Sequence, residues 1–161
     1  MDIETEVSFE SILFKDTKIL ILGSFPSVKS FENNFYYADS RNQFWKIMEK
    51  LTAFPINNRD QKLWLLKEAK IGLWDMIKSH NKENVLESSL EDEEVNDIAS
   101  LLENNLNIQC VALIGRKAEA LFKLHFACMD VKIVYLSSSF SSYSKMSFEE
   151  KVIQYKKRLG F

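Results

Sequence analysis

Few side chains in this sequence are equipped for covalent chemistry, and the polar groups that could form a site gather in four segments. The first is Gly23-Ser24-Phe25-Pro26-Ser27. Gly23 permits a tight turn with close backbone approach and Pro26 stiffens it, so the local amides suit an anion or a base carbonyl. An ordinary strand-to-loop turn is the plainer alternative. The segment lacks the lysine of a phosphate-binding P-loop and the spaced glycines of a dinucleotide fingerprint. The second segment is Phe35-Tyr36-Tyr37-Ala38 followed by Arg41-Asn42-Gln43-Phe44-Trp45. Tyr36 and Tyr37 either stack on a planar ligand or pack the loop. Asn42 offers a carboxamide at the start of a helix, where local capping is the alternative, while Phe44 and Trp45 read as core. Asp75 ends an apolar run, as a site carboxylate or a cap. The fourth segment, Ser137 to Ser144, carries six serines in eight residues. It reads as a flexible loop or as hydroxyls and amides for phosphates, which position a nucleic acid without reading its sequence.

Other chemistries find little support. The only histidines are His80, which reads as an exposed loop residue, and His125. Neither stands where it would activate a serine or cysteine nucleophile. Cys110 and Cys128 lie in or beside apolar segments and read as buried thiols of a reducing cytosol. No Cys/His cluster has the spacing of a zinc or iron–sulfur site, and no metal is expected.

The elements that must position these residues show in the apolar pattern. Four short runs, roughly Lys18–Leu22, Ile71–Trp74, Ile108–Ile114 and Lys132–Leu136, are rich in Ile, Val and Leu without clean alternation. Strands covered on both faces of a parallel sheet read this way. Helical spacing runs from Ser40, an expected N-cap, through Phe44, Trp45, Met48 and Leu51, and again through Leu63 and Leu66 to Lys70. Glu91–Asn105 reads as a helix with an acidic first turn and a stripe of Val95, Ile98, Leu101 and Leu102. Lys117–Phe126, opened by Gly115, and Ser147–Leu159 complete the set. Alternating strands and helices predict an α/β fold, a three-layer α/β/α sandwich around a mostly parallel four-stranded sheet, as one domain over 1–161. Ligands of such sheets sit beyond the carboxyl ends of the strands, which singles out Gly23–Asn42, Asp75–Asn81, Gly115–Lys117 and Ser137–Ser144.

The bulk numbers agree with an ordinary globular chain. With 161 residues, Gly 4 and Pro 2, there is room for one core and no sign of a linker. No apolar stretch of about 20 residues and no basic-then-apolar leader appears, so a cytoplasmic, membrane-free protein is expected. The net charge of −2 argues mildly against a sequence-independent nucleic-acid coat but leaves room for a local basic patch.

Gly23-Ser24-Phe25-Pro26-Ser27, Tyr36-Tyr37-Ala38 with Asn42-Gln43-Phe44-Trp45-Lys46, Gly72-Leu73-Trp74-Asp75 and Gly115-Arg116-Lys117-Ala118 together resemble the uracil-DNA glycosylase superfamily. The pattern is most similar to its hypoxanthine-DNA (deoxyinosine) glycosylase branch. There the motifs read Gly-Ser-x-Pro, Tyr-Tyr-Ala-His-Pro-x-Asn-x-Phe-Trp, Leu-Trp-Asp and a late Leu-Pro-Ser-Thr-Ser-Pro-Ala. The resemblance implies a monofunctional DNA glycosylase that releases a deaminated base, hypoxanthine or uracil, from DNA. It implies no cofactor, and we expect a monomer acting on DNA with a deaminated or mismatched base. Asn42 takes the catalytic position, orienting water, since an amide cannot accept a proton at neutral pH. Gly23, Ser24, Phe25 and Pro26, with Tyr37 and Asp75, take the base-binding positions. Ser138, Ser139 and Ser141 match the loop that meets the phosphates, and Lys145 follows as a further DNA contact.

Two departures stand out. Asp39-Ser40 replace His-Pro ahead of Asn42, which brings a carboxylate that could assist the water. The late loop lacks both prolines and is expected to be looser. A non-cleaving binding module and an unrelated α/β enzyme are the competing expectations.

Overall fold

The computed structural model describes residues 5–81 and 94–161. In chain order the elements are β1 (Thr5–Val7), β2 (Ile19–Gly23), α1 (Val28–Asn33), α2 (Phe44–Thr52), α3 (Arg59–Ala69), β3 (Ile71–Asp75), β4 (Ile77–Asn81), β5 (Glu94–Val95), α4 (Ile98–Asn104), β6 (Cys110–Ile114), α5 (Gly115–Phe126), β7 (Lys132–Leu136) and α6 (Phe148–Leu159). The four apolar runs become a parallel sheet in the order β3-β2-β6-β7. Successive side chains leave a strand on opposite faces, so each run feeds two cores. On β2, Ile21 joins Phe44, Ile47, Met48, Leu66 and Tyr155 on one side. Leu20 and Leu22 join Ile98, Leu101, Leu121 and Phe122 on the other. Helices α2, α3 and α6 therefore cover one face and α4 and α5 the other, giving the expected three layers.

Several local expectations are corrected. Ser40 does not cap α2. The helix begins at Phe44, and the side chain that accepts from its first turn is Asn42, whose Oδ1 takes the Phe44 N–H at 2.9 Å. Of the segment read as a helix over Glu91–Asn105, residues 91–93 lie outside the described residues. Glu94 and Val95 form strand β5, and the helix starts at Ile98 with Asp97 as its cap. Pairing with β4 competes successfully with helix propensity there. His80 belongs to strand β4 rather than to a loop. Cys110 is buried as expected, but Cys128 is exposed, because α5 ends at Phe126 before it. A second, antiparallel sheet in the order β1-β4-β5 was not expected from the sequence. Among the described residues no helix is long and apolar enough to cross a membrane.

The connections fix where the site lies. From β2 the chain passes through α1, α2 and α3 to β3 on one side, whereas from β6 it passes through α5 to β7 on the other. The chain thus leaves adjacent strands β2 and β6 in opposite directions, which opens a crevice at their carboxyl ends.

Candidate active site

That crevice holds a cavity of about 240 Å³, and the four polar segments converge on it. The volume is below the roughly 300–1,000 Å³ of drug-sized sites, which suits a single heterocycle. The turn from Gly23 to Ser27 lines one wall, Tyr37 and Asn42 a second, Asp75 a third, and Ser138 with Ser139 a fourth. Of the sequence-predicted residues, Ser141 and Lys145 are absent from the lining, and both are exposed. Ser139 is only 2% exposed and its carbonyl accepts the Gln43 N–H at 2.7 Å, so its backbone organises the wall.

Each wall has a local cause. Gly23 is needed because a Cβ there would lie 2.9 Å from Asp75 Oδ1 and 3.0 Å from the Tyr37 hydroxyl. Its carbonyl and that of Ser24 accept from Met76 N at 2.8 Å and Ile77 N at 3.0 Å, tying the turn to the end of β3. Asp75 is held by its own carbonyl, which accepts from the buried Asn96 Nδ2 at 2.7 Å. Tyr37 sits at φ 54°, an uncommon conformation for a bulky residue. Its ring lies 4.0 Å from that of Phe44, centroid to centroid, at 27°. One ring face is thereby covered by the core, and the residue also lines the cavity. The strained position is sustained by its surroundings: Ala38 N donates to buried Ser30 Oγ at 3.2 Å, and Trp45 Nε1 donates to the Tyr36 carbonyl at 2.9 Å.

Asn42 is anchored on both sides. Its N–H donates to the Asp39 carbonyl at 2.9 Å, and it bridges in antiparallel fashion to Phe140. The Phe44 N–H uses one lone pair of Oδ1, which leaves the second lone pair and the Nδ2 hydrogens for water or ligand. Asp39 takes a different path from the one its spacing suggested. It is 3% exposed, absent from the cavity lining, and grips Arg41, accepting from Nε at 3.1 Å and from Nη2 at 2.8 Å. These Arg41 bonds hold its carboxyl ionised, down at about 2. It stabilises the turn into Asn42 rather than facing the cavity.

The electrostatics of the inner wall are unusual. Burial alone pushes Asp75 up to about 7. Burial, with the Asp75 carboxyl beside it, keeps the Tyr37 phenol protonated well above its usual range. Among the described residues, the Tyr37 hydroxyl and Asp75 Oδ2 are buried without a hydrogen-bond partner. Unpaired buried polar atoms are costly, and both belong to residues lining the cavity, so its inner wall carries uncompensated polarity. Opposite them, Gly115, Arg116 and Lys117 bring the N-terminus of α5 to the rim, where the helix dipole favours negative charge.

Several supporting residues escaped the sequence reading: Ser30, Asn96, Lys151 and Tyr155. Only Lys151 and Tyr155 left a signal, since both fall on the apolar stripe of α6 that runs through Phe148, Val152 and Leu159. A Gly23→Ala variant tests the close approach directly. It should fold with a stability loss of about 1–3 kcal/mol from overpacking. Ligand binding or turnover should fall much further than stability, because the methyl crowds both Asp75 Oδ1 and the Tyr37 hydroxyl at the cavity wall. Thermal melts and turnover measured on one preparation would show whether the two effects part.

A central parallel sheet with helices on both faces, carrying an amide-bearing helix start and a glycine turn around a base-sized cavity, defines a glycosylase-type α/β domain. The model of the uracil DNA glycosylase superfamily matches residues 12–159, and the chain belongs to that superfamily. A hypoxanthine DNA glycosylase of Methanosarcina acetivorans is 36% identical over 112 residues, covering 68% of this chain and 71% of that protein. One of Methanosarcina barkeri is 32% identical over 112 residues with the same coverage. The solution NMR structure of a candidate uracil DNA glycosylase from Methanosarcina acetivorans superposes with a TM-score of 0.80. It is 28% identical, and the match covers 97% of this chain and 99% of that one.

Proposed function

We propose that this protein is a monofunctional DNA glycosylase that hydrolyses the N-glycosidic bond of a deaminated base, hypoxanthine or uracil, in DNA. The observation that carries this reading is the meeting of Asn42, Tyr37, Asp75 and the Gly23 turn around one cavity large enough for a base. A base in a duplex reaches such a cavity only by swinging out of the stack, at a cost of a few kcal/mol that mispaired bases reduce. Inside, Tyr37 stacks on the ring. Neutral Asp75 donates to a ring carbonyl and accepts from the adjacent ring N–H, the paired edge that hypoxanthine and uracil both present.

Bond breaking moves negative charge onto the departing base and positive charge onto the sugar. Donors fixed in advance at the base carbonyl stabilise the first, acting in a water-poor site where they need no rearrangement. Asn42 holds the water that then adds to the sugar carbon, while the proton passes to solvent or to the departing base. No step in this scheme requires a metal or cofactor. The flanking phosphates fall on Ser138, the exposed Ser141 and Lys145, and Arg116 at the rim, so a chain of net charge −2 still meets DNA with a local basic surface. We take the working species to be a monomer.

The test is base release. Purified protein is incubated with duplexes carrying a single deoxyinosine, deoxyuridine or mismatched thymine, and abasic sites are cut with alkali. Cleavage at deoxyinosine or deoxyuridine supports the reading and ranks the bases. Binding to the same duplexes without cleavage would replace it with a non-cleaving DNA-binding module.

A further inference from the structure

The serine loop that follows β7 has lost the prolines of the related motif, yet it is tightly held, and the agent is the inner face of α6. Lys151 lies on the apolar stripe of that helix and is 1% exposed. Its ammonium donates to Gln43 Oε1 at 2.9 Å and to the Phe140 carbonyl at 2.8 Å, and it stands 5.6 Å from the centroid of the Tyr143 ring. Among the described residues no carboxylate pairs with it. Two further side chains of the same helix hold the loop's start: the Tyr155 hydroxyl donates to the Ser137 carbonyl, and Gln154 Oε1 accepts from Ser137 N at 2.7 Å.

A buried ammonium without a counter-ion is expensive, and a hydrocarbon side chain would suit the stripe at lower cost. What the charge achieves is a junction. Gln43 directly follows Asn42, and Phe140 is the residue that bridges to Asn42. Gln43 N to Ser139 O at 2.7 Å and Ser141 N to Arg41 O at 2.8 Å complete the seam. We propose that Lys151 is a positioning residue for base release, tying the Asn42 corner to the serine loop so that the water-orienting amide and the phosphate-facing loop keep one fixed relation. This rests on the glycosylase reading for its catalytic consequence and on the seam alone for its structural one. The ammonium replaces, by three directed contacts, the stiffness that prolines give elsewhere.

The experiment compares the full chain with Lys151→Met, which keeps length and apolar volume and removes the donors. At saturating deoxyinosine or deoxyuridine duplex, single-turnover release should fall by roughly 10–100-fold while half-saturation shifts by less than about threefold, the signature of misplacement by a fraction of an ångström. Amide exchange at Gln43 and Ser141 should quicken. Lys151→Cys in a Cys110→Ala, Cys128→Ser background, alkylated with 2-bromoethylamine in denaturant and refolded, rebuilds an ammonium of near-native length and should recover most of the rate of the refolded background protein. Gln43→Met should cost less, and add little on top of Lys151→Met. A Lys151→Met enzyme with unchanged rate and unchanged exchange overturns the proposal. So does a rate loss that alkylation fails to recover in a protein whose melting curve is native. If the wild-type chain releases no base at all, the glycosylase reading falls, and exchange at Gln43 and Ser141 still decides whether Lys151 holds the seam.

Discussion

Asn42→Ala is expected to lower single-turnover base release by about 10²–10⁴-fold, the range for removing a positioned catalytic group, while duplex binding stays near its original strength. The substitution has two effects that must be separated. Asn42 Oδ1 also accepts the first amide of α2, from Phe44 at 2.9 Å, so alanine costs about 0.5–2 kcal/mol of capping as well. Asn42→Ser keeps a capping oxygen but is too short to hold the same water. It should therefore restore most of the melting temperature and little of the rate. Equal recovery of both would mean that Asn42 serves the helix and not the chemistry. A rate for Asn42→Ala within threefold of the parent would remove it from the mechanism.

The second large effect concerns Asp75. Burial raises its carboxyl to about 7, against an ordinary value near 3.9 in the unfolded chain. Between those values the folded protein keeps a proton that the unfolded chain has released. Its contribution to stability is thus fully present below about pH 4 and is lost as pH climbs towards 7, at about 1.4 kcal/mol per unit. Asp75→Asn removes the titration and keeps a donor and an acceptor of the same shape. Relative to the parent, the variant should gain stability progressively from pH 4 to 7 and be clearly the more stable protein at pH 8. In the proposed mechanism the same proton matters for the reaction, because there only neutral Asp75 donates to the base carbonyl. Parent activity should fall roughly tenfold per unit above pH 7 once the carboxylate dominates, whereas Asp75→Asn should keep its rate through pH 8. Superimposable pH–rate profiles between pH 6 and 9 would show that Asp75 does not act through its proton. Denaturant melts across the same range read the stability half independently.

The residues that could be placed from sequence are those whose reasons are local. The four sheet strands are dense apolar runs, and β2, β3 and β6 are buried on both faces while the edge strand β7 is partly so, which is why composition alone marks them. The turn at Gly23 and the end of β3 at Asp75 follow from where those runs stop, which is why their meeting at the strand ends was foreseeable. Helix α6 was legible from Ser147, Glu150 and the late cations, and it carries a full capping box. What stayed hidden depends on distant partners. Strands β1, β4 and β5 are short and largely polar, and their pairing is set by the chain returning beside β3. Helix α1 has six residues, too few for a repeating stripe. The roles of Ser30 and Asn96 lie in bonds to carbonyls and amides of other segments, which no spacing reveals. Asp39 shows the reverse error: its nearness to Asn42 in sequence suggested chemistry, yet Arg41, only two residues on, captures it.

The bond from Lys151 to Gln43 spans 108 residues of chain, and the walls of the cavity come from segments spread between Gly23 and Phe140. Contacts of such long range form only after most of the chain's entropy has been given up. Neither half of the sequence can close the cavity on its own, since Asn42 bridges to Phe140 and Phe140 is held by Lys151 of α6. The site is therefore a product of the finished fold, and a chain folded in one half alone lacks its walls.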